Sequence, residues 1–365
     1  MSSFDGLISQ KLEDKYKSLV ESDYLLPLKV TDFYLKKIRE ETQAIGIGGP
    51  LYKTVLPTEE RLNISLCGES RDYINEKRHM PVLQADYIVR KYSDRLIFLV
   101  SDDCFAHCQY CFRTYKLSSE KKDRKNQPCL NIEEKTEVLF AYLKSHPEIK
   151  EVILTGGDPL TLQADKLRFI FKKLSAWKLR LHTRAIVYSP DVIDSDILSL
   201  LHEHNVKIVF HINHPYEICR MVEDKILLMS KNNIKLYAQF PLLRGINDND
   251  EVLTLLLEKC ADLNIRPLSI FCVEPNKYSA SFRLNFKRIE KIINKINWNT
   301  PSWINSVRFV LDSEIGKVRR EDIIRRDKTE IVFGRDGKEI RYRDFPAEYD
   351  IPAHPDTVLW KGKGL

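Results

Sequence analysis

Short apolar runs alternate with longer amphipathic stretches through most of the chain after residue 90. The apolar runs are rich in β-branched and aromatic residues, which is typical of buried strands, and the amphipathic stretches repeat apolar residues at helical spacing. Such alternation indicates βαβ units and a parallel sheet, which right-handed crossovers would curl into a full or partial barrel. We predict strands at 96–100, 151–155, 179–187, 206–211, 234–240, 268–273 and 307–311, and helices including 132–145, 195–203, 249–263 and 287–296.

The two ends of the chain have different patterns. Residues 1–90 are predicted to be helices and loops that pack on the side or mouth of the barrel. Residues 329–342 alternate apolar and polar positions around a turn that contains Gly334 and Gly337, which predicts a hairpin. The tail, 346–365, contains three prolines and is expected to be extended. We therefore divide the chain into an extension (1–90), a barrel (91–320) and a hairpin with its tail (321–365).

Composition narrows the class of protein. The 365 residues are 43% hydrophobic and 30% charged, as in soluble globular proteins, and the net charge of +6 is mild for this length. We therefore expect no nucleic-acid partner. The amino terminus lacks the apolar core of a signal peptide, and no stretch approaches the roughly 18 apolar residues of a membrane span. We expect a cytoplasmic protein without a membrane partner, whose thiols stay reduced.

The most informative chemical feature is the run Cys104-Phe-Ala-His-Cys108-Gln-Tyr-Cys111. A structural zinc site normally takes four ligands, and an electron-transfer iron–sulfur cluster takes four cysteines. Three thiols can instead hold a 4Fe–4S cube by three irons and leave the fourth open to the amino and carboxylate groups of S-adenosylmethionine (SAM). The alternatives are three buried cysteines, or a zinc site completed by His107. The spacing and its context favour the radical-SAM cluster.

That context is a strand followed by a loop. The cysteines come directly after the predicted strand 96–100, at the end where barrel folds build their chemistry. Gly156, Gly157 and Asp158 end the next predicted strand, and glycines let a backbone approach a ligand closely. Alone, the segment Gly156-Gly157-Asp158 would be interpreted as an ordinary turn. One βαβ unit after the cysteines, it predicts the segment that binds the SAM amino group.

Polar residues at later strand ends are weaker signals. His211 closes one predicted strand and Gln239 lies in the next, where both could point into the barrel mouth. Lys317, after the last strand, could bind pyridoxal phosphate covalently. Lys91 and Arg95, just before the first strand, could hold a phosphate. Without the other motifs each of these would be interpreted as an ordinary core or surface residue.

Together these motifs resemble the lysine 2,3-aminomutase family of radical-SAM, pyridoxal-phosphate enzymes, from about residue 50 to residue 345. The cysteine triplet alone indicates only the superfamily. The ordered segments His-Ile-Asn-His-Pro, Leu-Arg-Gly-Ile-Asn-Asp and Gly-Lys are specific to the aminomutase group. The matching segments are 90–95, 104–113, 154–158, 183–184, 211–215, Gln239 with 243–248, 312–317 and the hairpin near Gly337.

The resemblance implies a partial (β/α)6-type radical-SAM barrel, an α/β fold, with an N-terminal helical extension and a C-terminal hairpin. It also implies three cofactors: a 4Fe–4S cluster, SAM and pyridoxal phosphate. The resemblance implies that the cluster is bound by Cys104, Cys108 and Cys111, and that SAM is bound by Gly156, Gly157, Asp158, His211 and Gln239. It implies that Lys317 attaches pyridoxal phosphate covalently and that the phosphate of this cofactor is held by Lys91 and Arg95. It also implies that Arg113 binds the substrate carboxylate and that Asp312 binds the substrate side chain.

The implied reaction moves an amino group from Cα to Cβ of an amino acid, with lysine as the expected substrate. An electron donor for the cluster is implied, and a homo-oligomer is possible. A relative acting on another amino acid, or on lysine for elongation factor P modification, is the second hypothesis. A radical-SAM enzyme without functional pyridoxal phosphate and a non-catalytic metal-stabilised binding protein are the others.

Two departures from the family pattern bear on the site, the first on the cofactor phosphate and the second on the substrate. The family has an arginine where this chain has Lys91, which keeps the charge but loses the guanidinium fork. Lysine-specific members have an aspartate after a cysteine on the sixth strand, whereas Cys272 is followed here by Val273 and then Glu274. Glu274 with Asp312 would neutralise a cationic side chain, and Val273 would not. Both assignments stay open from the sequence.

Overall fold

The computed structural model describes residues 4–82, 85–123 and 130–360. The described helices are α1 Gln10–Ser22, α2 Asp32–Ile45, α3 Pro50–Val55, α4 Glu59–Asn63, α5 Thr114–Asp123, α6 Ile132–Lys144, α7 Ala164–Lys173, α8 Ala185–Tyr188, α9 Ser195–Glu203, α10 Arg220–Lys231, α11 Asp250–Asp262, α12 Phe286–Asn299, α13 Ser302–Asn305 and α14 Pro355–Val358. Short 3-10 helices lie at Glu76–His79, Pro159–Thr161, Pro190–Val192, Pro215–Glu217, Ala280–Phe282 and Arg320–Asp322.

The strands form two sheets, one large and one small. The strands are β1 Ile88–Val89, β2 Arg95–Ser101, β3 Glu151–Gly156, β4 Lys178–Thr183, β5 Lys207–Phe210, β6 Leu236–Leu242, β7 Arg266–Cys272, β8 Arg308–Leu311, β9 Ile323–Arg326, β10 Glu330–Arg335 and β11 Lys338–Arg343. β1 to β8 form one sheet in chain order, antiparallel at β1–β2 and parallel from β2 to β8. The order β11-β10-β9 forms a second, antiparallel sheet.

Local sequence signals explain where the helices begin. Asn131 and Glu134 form a reciprocal capping box at the start of α6, with both hydrogen bonds at 2.8 Å. Asp194 caps α9 by accepting from the Ile197 amide at 2.9 Å. These caps lie at the predicted helix starts, and α9 has the predicted bounds.

The main core lies between the parallel sheet and the helices that connect its strands. Phe98, Leu154, Leu181 and Phe240 come from β2, β3, β4 and β6 and are fully buried. Burying a side chain of this size contributes about 1.5–3 kcal/mol each. The sheet therefore has one face packed against helices, which leaves the other face for the site.

Several predicted elements differ in their bounds. The strand predicted at 179–187 ends at Thr183, because Ala185–Tyr188 turns into the short helix α8. The hairpin is confirmed, with Asp336 and Gly337 both at positive φ in its two-residue turn, and β9 adds a third strand that we did not predict. The tail prediction was wrong where α14 forms a short helix.

The α/β class and the parallel sheet are confirmed. Within the described ranges, no backbone pairing joins β1 to β8, so the hydrogen-bonded sheet is open between its edges. Side chains span this gap: Lys91, before β2, reaches Asp312, after β8.

Candidate active site

One face of the parallel sheet is only half-buried, and it carries most of the polar side chains of the strands. On β4, Arg180 and His182 alternate with the buried Leu181. On β6, Gln239 alternates with the buried Ala238. Successive residues of a strand point to opposite faces. The half-buried face is therefore the polar one, and it is where side chains from separate strands meet.

The three cysteines lie in the loop after β2, and the N-terminal helices hold this loop. The Gln109 amide donates to the Thr54 carbonyl at 2.9 Å, and its side-chain Nε2 donates to the Val55 carbonyl at 3.0 Å. Arg61 Nε donates to the Gln109 carbonyl at 2.7 Å. Residues outside the sheet therefore set the conformation of the cysteine loop.

His107 belongs to the same set of anchors. Its Nδ1 lies 2.6 Å from the Pro27 carbonyl oxygen, and its amide donates to the Lys29 carbonyl at 2.9 Å. In the part of the chain that the structure describes, no group of three or more His, Cys, Asp or Glu side chains is gathered around a single metal ion. The His107 ring is held by the N-terminal segment through the Pro27 carbonyl oxygen.

The cysteine side chains are partly shielded from solvent. Cys108 Sγ lies 3.1 Å from the Tyr188 hydroxyl. Burial raises the pKa of Cys111 to about 11, and the neighbouring Cys108 adds to the rise. At neutral pH this thiol holds its proton, so ligation of a metal must release it.

The two glycines after β3 are required by close packing against the cysteine loop. Gly156 has φ +118°, and a Cβ there would lie 2.4 Å from the Ser101 carbonyl oxygen. A Cβ on Gly157 would lie 2.2 Å from the Asp103 carbonyl oxygen. The backbone at these glycines therefore does approach another group closely, as expected, but that group is the backbone of the cysteine loop. Contact of these glycines with SAM stays a prediction.

Asp158 joins the ends of two strands. Its buried carboxylate accepts from Thr183 Oγ1 at 2.8 Å, from the Arg184 amide at 2.8 Å and from the Leu160 amide at 3.1 Å. Burial raises its pKa, while these hydrogen bonds oppose the rise. The carboxylate organises the strand ends, and its direct contact with SAM stays a prediction.

His182, His211 and Gln239 form a hydrogen-bonded cluster on the half-buried face. Gln239 Nε2 lies 3.1 Å from His182 Nδ1 and 3.1 Å from His211 Nε2. His211 Nε2 and His182 Nδ1 also lie 3.3 Å apart, so the amide nitrogen and the two ring nitrogens meet at one point. Burial lowers the pKa of His211 to about 3, and the charges of Arg184 and Arg113 lower it further. Both rings are therefore neutral.

The loop after β8 presents Lys317. Leu311 and Val318 exchange two backbone hydrogen bonds of 2.9 Å, which close the loop. Gly316 has φ +104°, a conformation that favours glycine. The Lys317 amide donates to the Tyr92 hydroxyl at 3.1 Å. The lysine thus sits in a narrow loop that is tied to the segment before β2.

The Lys317 amine is poised for nucleophilic chemistry. Its Nζ lies 4.7 Å from the centre of the Phe271 ring. Burial lowers its pKa to about 8; Asp312 opposes this, and Arg180, Arg95 and Lys91 lower it further. A lowered pKa leaves more of the amine uncharged and reactive at neutral pH.

Lys91 and Arg95 lie beside that loop. Lys91 Nζ donates to Asp312 Oδ1 at 3.1 Å, so these two predicted site residues are paired with each other. The Arg95 guanidinium stacks 4.0 Å from the centre of the Tyr92 ring and donates to Asp94 at 2.7 Å. The segment therefore brings two cations close to the Lys317 amine.

Sequence reasoning missed two residues of β4. Arg180 donates to Glu151 at 2.9 Å, and its buried Nε has no hydrogen-bond partner among the described residues. The same holds for His182 Nε2. The sequence does contain a signal for Arg180 and His182, because they alternate with leucines in a strand that ends at Thr183. Residues 183–184 are one of the segments that carry the family resemblance.

Arg113 is paired with a residue that sequence analysis did not single out. Arg113 Nε lies 3.1 Å from both carboxylate oxygens of Glu76, and Nη2 lies 2.7 Å from Oε1. Both side chains are buried. Burial would raise the pKa of Glu76, but the pairing with Arg113 overrides it and holds the pKa below its usual value. Arg113 Nη1 is directed to Thr155 Oγ1 at 3.4 Å.

Glu274 follows β7 and Asp312 follows β8, and the charge of Asp312 affects the pKa of Glu274. Burial raises the pKa of Glu274 to about 8, and Asp312 adds to the rise while Lys91 opposes it. Val273 instead packs in an apolar cluster with Leu243 and neighbouring residues. Of the two residues left open by the sequence, Glu274 is the one that shares a site with Asp312. Its role toward a substrate stays a prediction.

The chain is similar to known proteins over most of its length. A family model described as a 4Fe-4S single cluster domain matches residues 94–216, which span the cysteine loop, β3, β4 and β5. The L-lysine 2,3-aminomutase of Buchnera aphidicola is 29% identical, over 78% of this chain and 81% of that protein. The L-lysine 2,3-aminomutase of Haemophilus influenzae is 28% identical, over 75% of this chain and 78% of that protein.

The chain is therefore similar to L-lysine 2,3-aminomutases over about three quarters of its length. These relatives are named as aminomutases, which are isomerases, and the matching family model describes a 4Fe-4S cluster domain. The glutamate 2,3-aminomutase of Clostridioides difficile is also similar, at 29% identity over 66% of this chain and 55% of that protein. Relatives with two different substrates therefore lie at equal identity.

The structure brings the predicted residues into two groups. One is the cysteine loop with the glycine pair; the other is the polar face with Lys317. Burial lowers the pKa of His211 most, and charges from both groups, Arg113 and Lys317, lower it further. No helix within the described ranges is long and apolar enough to cross a membrane.

Proposed function

We propose that this protein is a radical-SAM, pyridoxal-phosphate-dependent amino acid 2,3-aminomutase, and that residues 91–320 form its partial (β/α)6-type barrel. Lysine, converted to β-lysine, is the favoured substrate. The observation that carries the proposal is the pair of loops at the two edges of the parallel sheet: the three-cysteine loop follows β2, and the Lys317 loop follows β8 and is tied to Tyr92 before β2. A lysine amine of lowered pKa suits covalent attachment of pyridoxal phosphate, and a loop with three thiols suits ligation of an iron–sulfur cluster.

The cysteine loop suits the cluster by its donors. Cys104, Cys108 and Cys111 would supply three thiolates, and His211, Gln239, Gly156, Gly157 and Asp158 would hold SAM. The buried His182 Nε2, which has no hydrogen-bond partner among the described residues, supports this, because a buried polar atom without a partner is costly unless a ligand supplies one. The cluster and SAM together supply the radical that removes a hydrogen atom from the substrate.

The polar face suits pyridoxal phosphate. Lys317 would attach it, and Lys91 and Arg95 would hold its phosphate. The unpartnered Nε–H of Arg180 adds a third cationic donor in the same field. When bound, pyridoxal phosphate would supply an electron sink for radical chemistry. The protein excludes water from these reactants and holds them in place.

The amino acid itself would be held at two points. Arg113 would bind its carboxylate through the donors that Glu76 leaves unused, since an arginine has five N–H groups and Glu76 engages Nε and Nη2. Asp312 and Glu274 would bind the side-chain ammonium of lysine. Burial raises the pKa of Glu274 to about 8 and Asp312 adds to the rise, and an ammonium beside Glu274 would oppose both effects.

A second substrate class has its own support. Asp312 is already shared with Lys91 at 3.1 Å, so a lysine ammonium would compete with Lys91 for this carboxylate. A different amino acid would leave that pair intact. The reaction would be the same, and only the side-chain contacts would change.

One anaerobic experiment separates these possibilities. The reconstituted protein is given SAM, pyridoxal phosphate, dithionite as electron donor and a mixture of free amino acids, and β-isomers are resolved by chromatography with mass detection. β-Lysine supports the first proposal, and another β-amino acid supports the second. An intact cluster that cleaves SAM without any isomer contradicts both, and Lys317→Ala is the control that should abolish isomer formation.

A further inference from the structure

A buried hydroxyl lies against one of the three cysteines. Tyr188, the last residue of α8, is 1% exposed. Its hydroxyl oxygen is 3.1 Å from Cys108 Sγ and 2.9 Å from Arg184 Nε. The phenol thus bridges a guanidinium and a thiol away from bulk water.

Donor chemistry fixes the direction of this bridge. The Nε–H of an arginine can only donate, so the Tyr188 oxygen is the acceptor of that hydrogen bond. The single proton of the phenol is then available to Cys108. A cysteine bound to iron is a thiolate and can only accept. Tyr188 therefore donates its O–H to the Cys108 sulfur.

The bridge is held by buried partners on its far side. Arg184 Nη2 donates to Glu217 Oε1 at 2.6 Å, and Glu217 is fully buried. Glu217 also accepts from the Tyr34 hydroxyl at 2.8 Å and from the Asn213 amide at 2.6 Å. Each partner is fixed by another, so the phenol cannot turn away without breaking a buried network.

We propose that Tyr188 raises the reduction potential of the cluster by donating a hydrogen bond to the Cys108 thiolate. The inference rests on the cluster of the proposed function. Hydrogen bonds to the sulfur ligands are one of the factors that set cluster potentials. Reduction by one electron from an external donor makes the cluster and its thiolates more negative, so a donated proton stabilises the reduced form more than the oxidised form.

The test compares Tyr188→Phe with the wild type. Both are reconstituted, titrated anaerobically with dithionite and redox mediators, and followed by the electron paramagnetic resonance signal of the reduced cluster. We expect the one-electron equilibrium of Tyr188→Phe to shift about tenfold toward the oxidised form, which is about 59 mV. Iron content should be unchanged.

Two further variants control for packing. Tyr342→Phe removes a buried hydroxyl from the C-terminal hairpin and should leave the potential unchanged. Replacing Tyr188 with 3-fluorotyrosine keeps the shape but makes the phenol a stronger donor, so the potential should rise. This variant remains informative even where Tyr188→Phe folds poorly.

The outcomes are distinct. Equal potentials in the wild type and both Tyr188 variants overturn the inference, as does a shift of the same sign with phenylalanine and fluorotyrosine. A wild-type protein that binds no iron–sulfur cluster contradicts the proposed function itself, and the inference with it.

Discussion

The buried pair of Arg113 and Glu76 allows a stability change to be worked out from geometry. Three contacts of 2.7–3.1 Å join the two groups, and their side chains are only 9% and 7% exposed. In Glu76→Gln the shape is kept and the negative charge is lost. The guanidinium is then left buried without a counter-charge.

Removing one partner of a buried ion pair costs about 3–5 kcal/mol. The entropy of unfolding is about 2.1 cal/mol/K per residue, or ~0.8 kcal/mol/K for 365 residues. Glu76→Gln should therefore lower Tm by about 4–7 °C, measured by calorimetry at neutral pH. Glu148→Gln, which breaks the exposed pair with Arg90, is the matched control and should leave Tm unchanged.

A double variant tests the reasoning. Removing both charges in Glu76→Gln with Arg113→Met should restore part of the lost stability, because an apolar replacement of a buried pair is often neutral. If the double variant loses the sum of the two single losses, the pair is not coupled and the reasoning is refuted.

The pH dependence of the same pair has a definite sign. The pKa of Glu76 is held below its usual 4.5, since Arg113 overrides the opposite effect of burial. The unfolded state therefore binds more protons, so the stabilisation is present above pH 4.5 and is lost as the pH falls through the folded value. The Tm difference between the wild type and Glu76→Gln should shrink below that pH.

Three other predictions follow from the site. Because the pKa of Lys317 is lowered to about 8, its acetylation rate should rise with a midpoint near pH 8 in peptide mass spectrometry. Trp360→Ala removes the ring stacked at 6.1 Å on His214, so Tm should fall and amide exchange in 211–216 should quicken. Gly157→Ala places a Cβ 2.2 Å from the Asp103 oxygen, so iron bound after reconstitution should fall.

Each of these has a matched comparison. Exposed lysines in the same digest provide the reference rates for Lys317. Trp298 is 90% exposed, so Trp298→Ala should leave Tm unchanged. Gly337 lies in the hairpin turn with no atom near an added Cβ, so Gly337→Ala should keep its iron. Equal losses in a variant and its comparison would contradict the prediction.

Part of the fold was predictable because its signals are local. The strands after residue 90 and helices such as α6 and α9 follow from periodicity and capping residues a few positions apart. Predicted boundaries failed where a helix followed a strand directly, as at α8. Barrel closure could not be judged from periodicity, since it depends on how the two edges of the sheet meet.

The candidate site divides in the same way. The cysteine spacing and the glycine pair are contiguous motifs, so sequence alone identified them. His182, Arg180 and Glu76 carry no motif, because a single polar residue in a strand or loop reads the same whether it faces the site or solvent.

The sequence by itself determined which reactive groups the chain contains and their order along it: three thiols, a glycine turn and a lysine, in an aminomutase-like order. Only the tertiary structure decided which charges meet. Arg113 and Glu76 are 37 positions apart, Cys108 and Tyr188 are 80, and Lys91 and Asp312 are 221. Local patterns encode backbone conformation within a few residues, whereas such distant pairs form only when packing of the whole sheet brings its loops together.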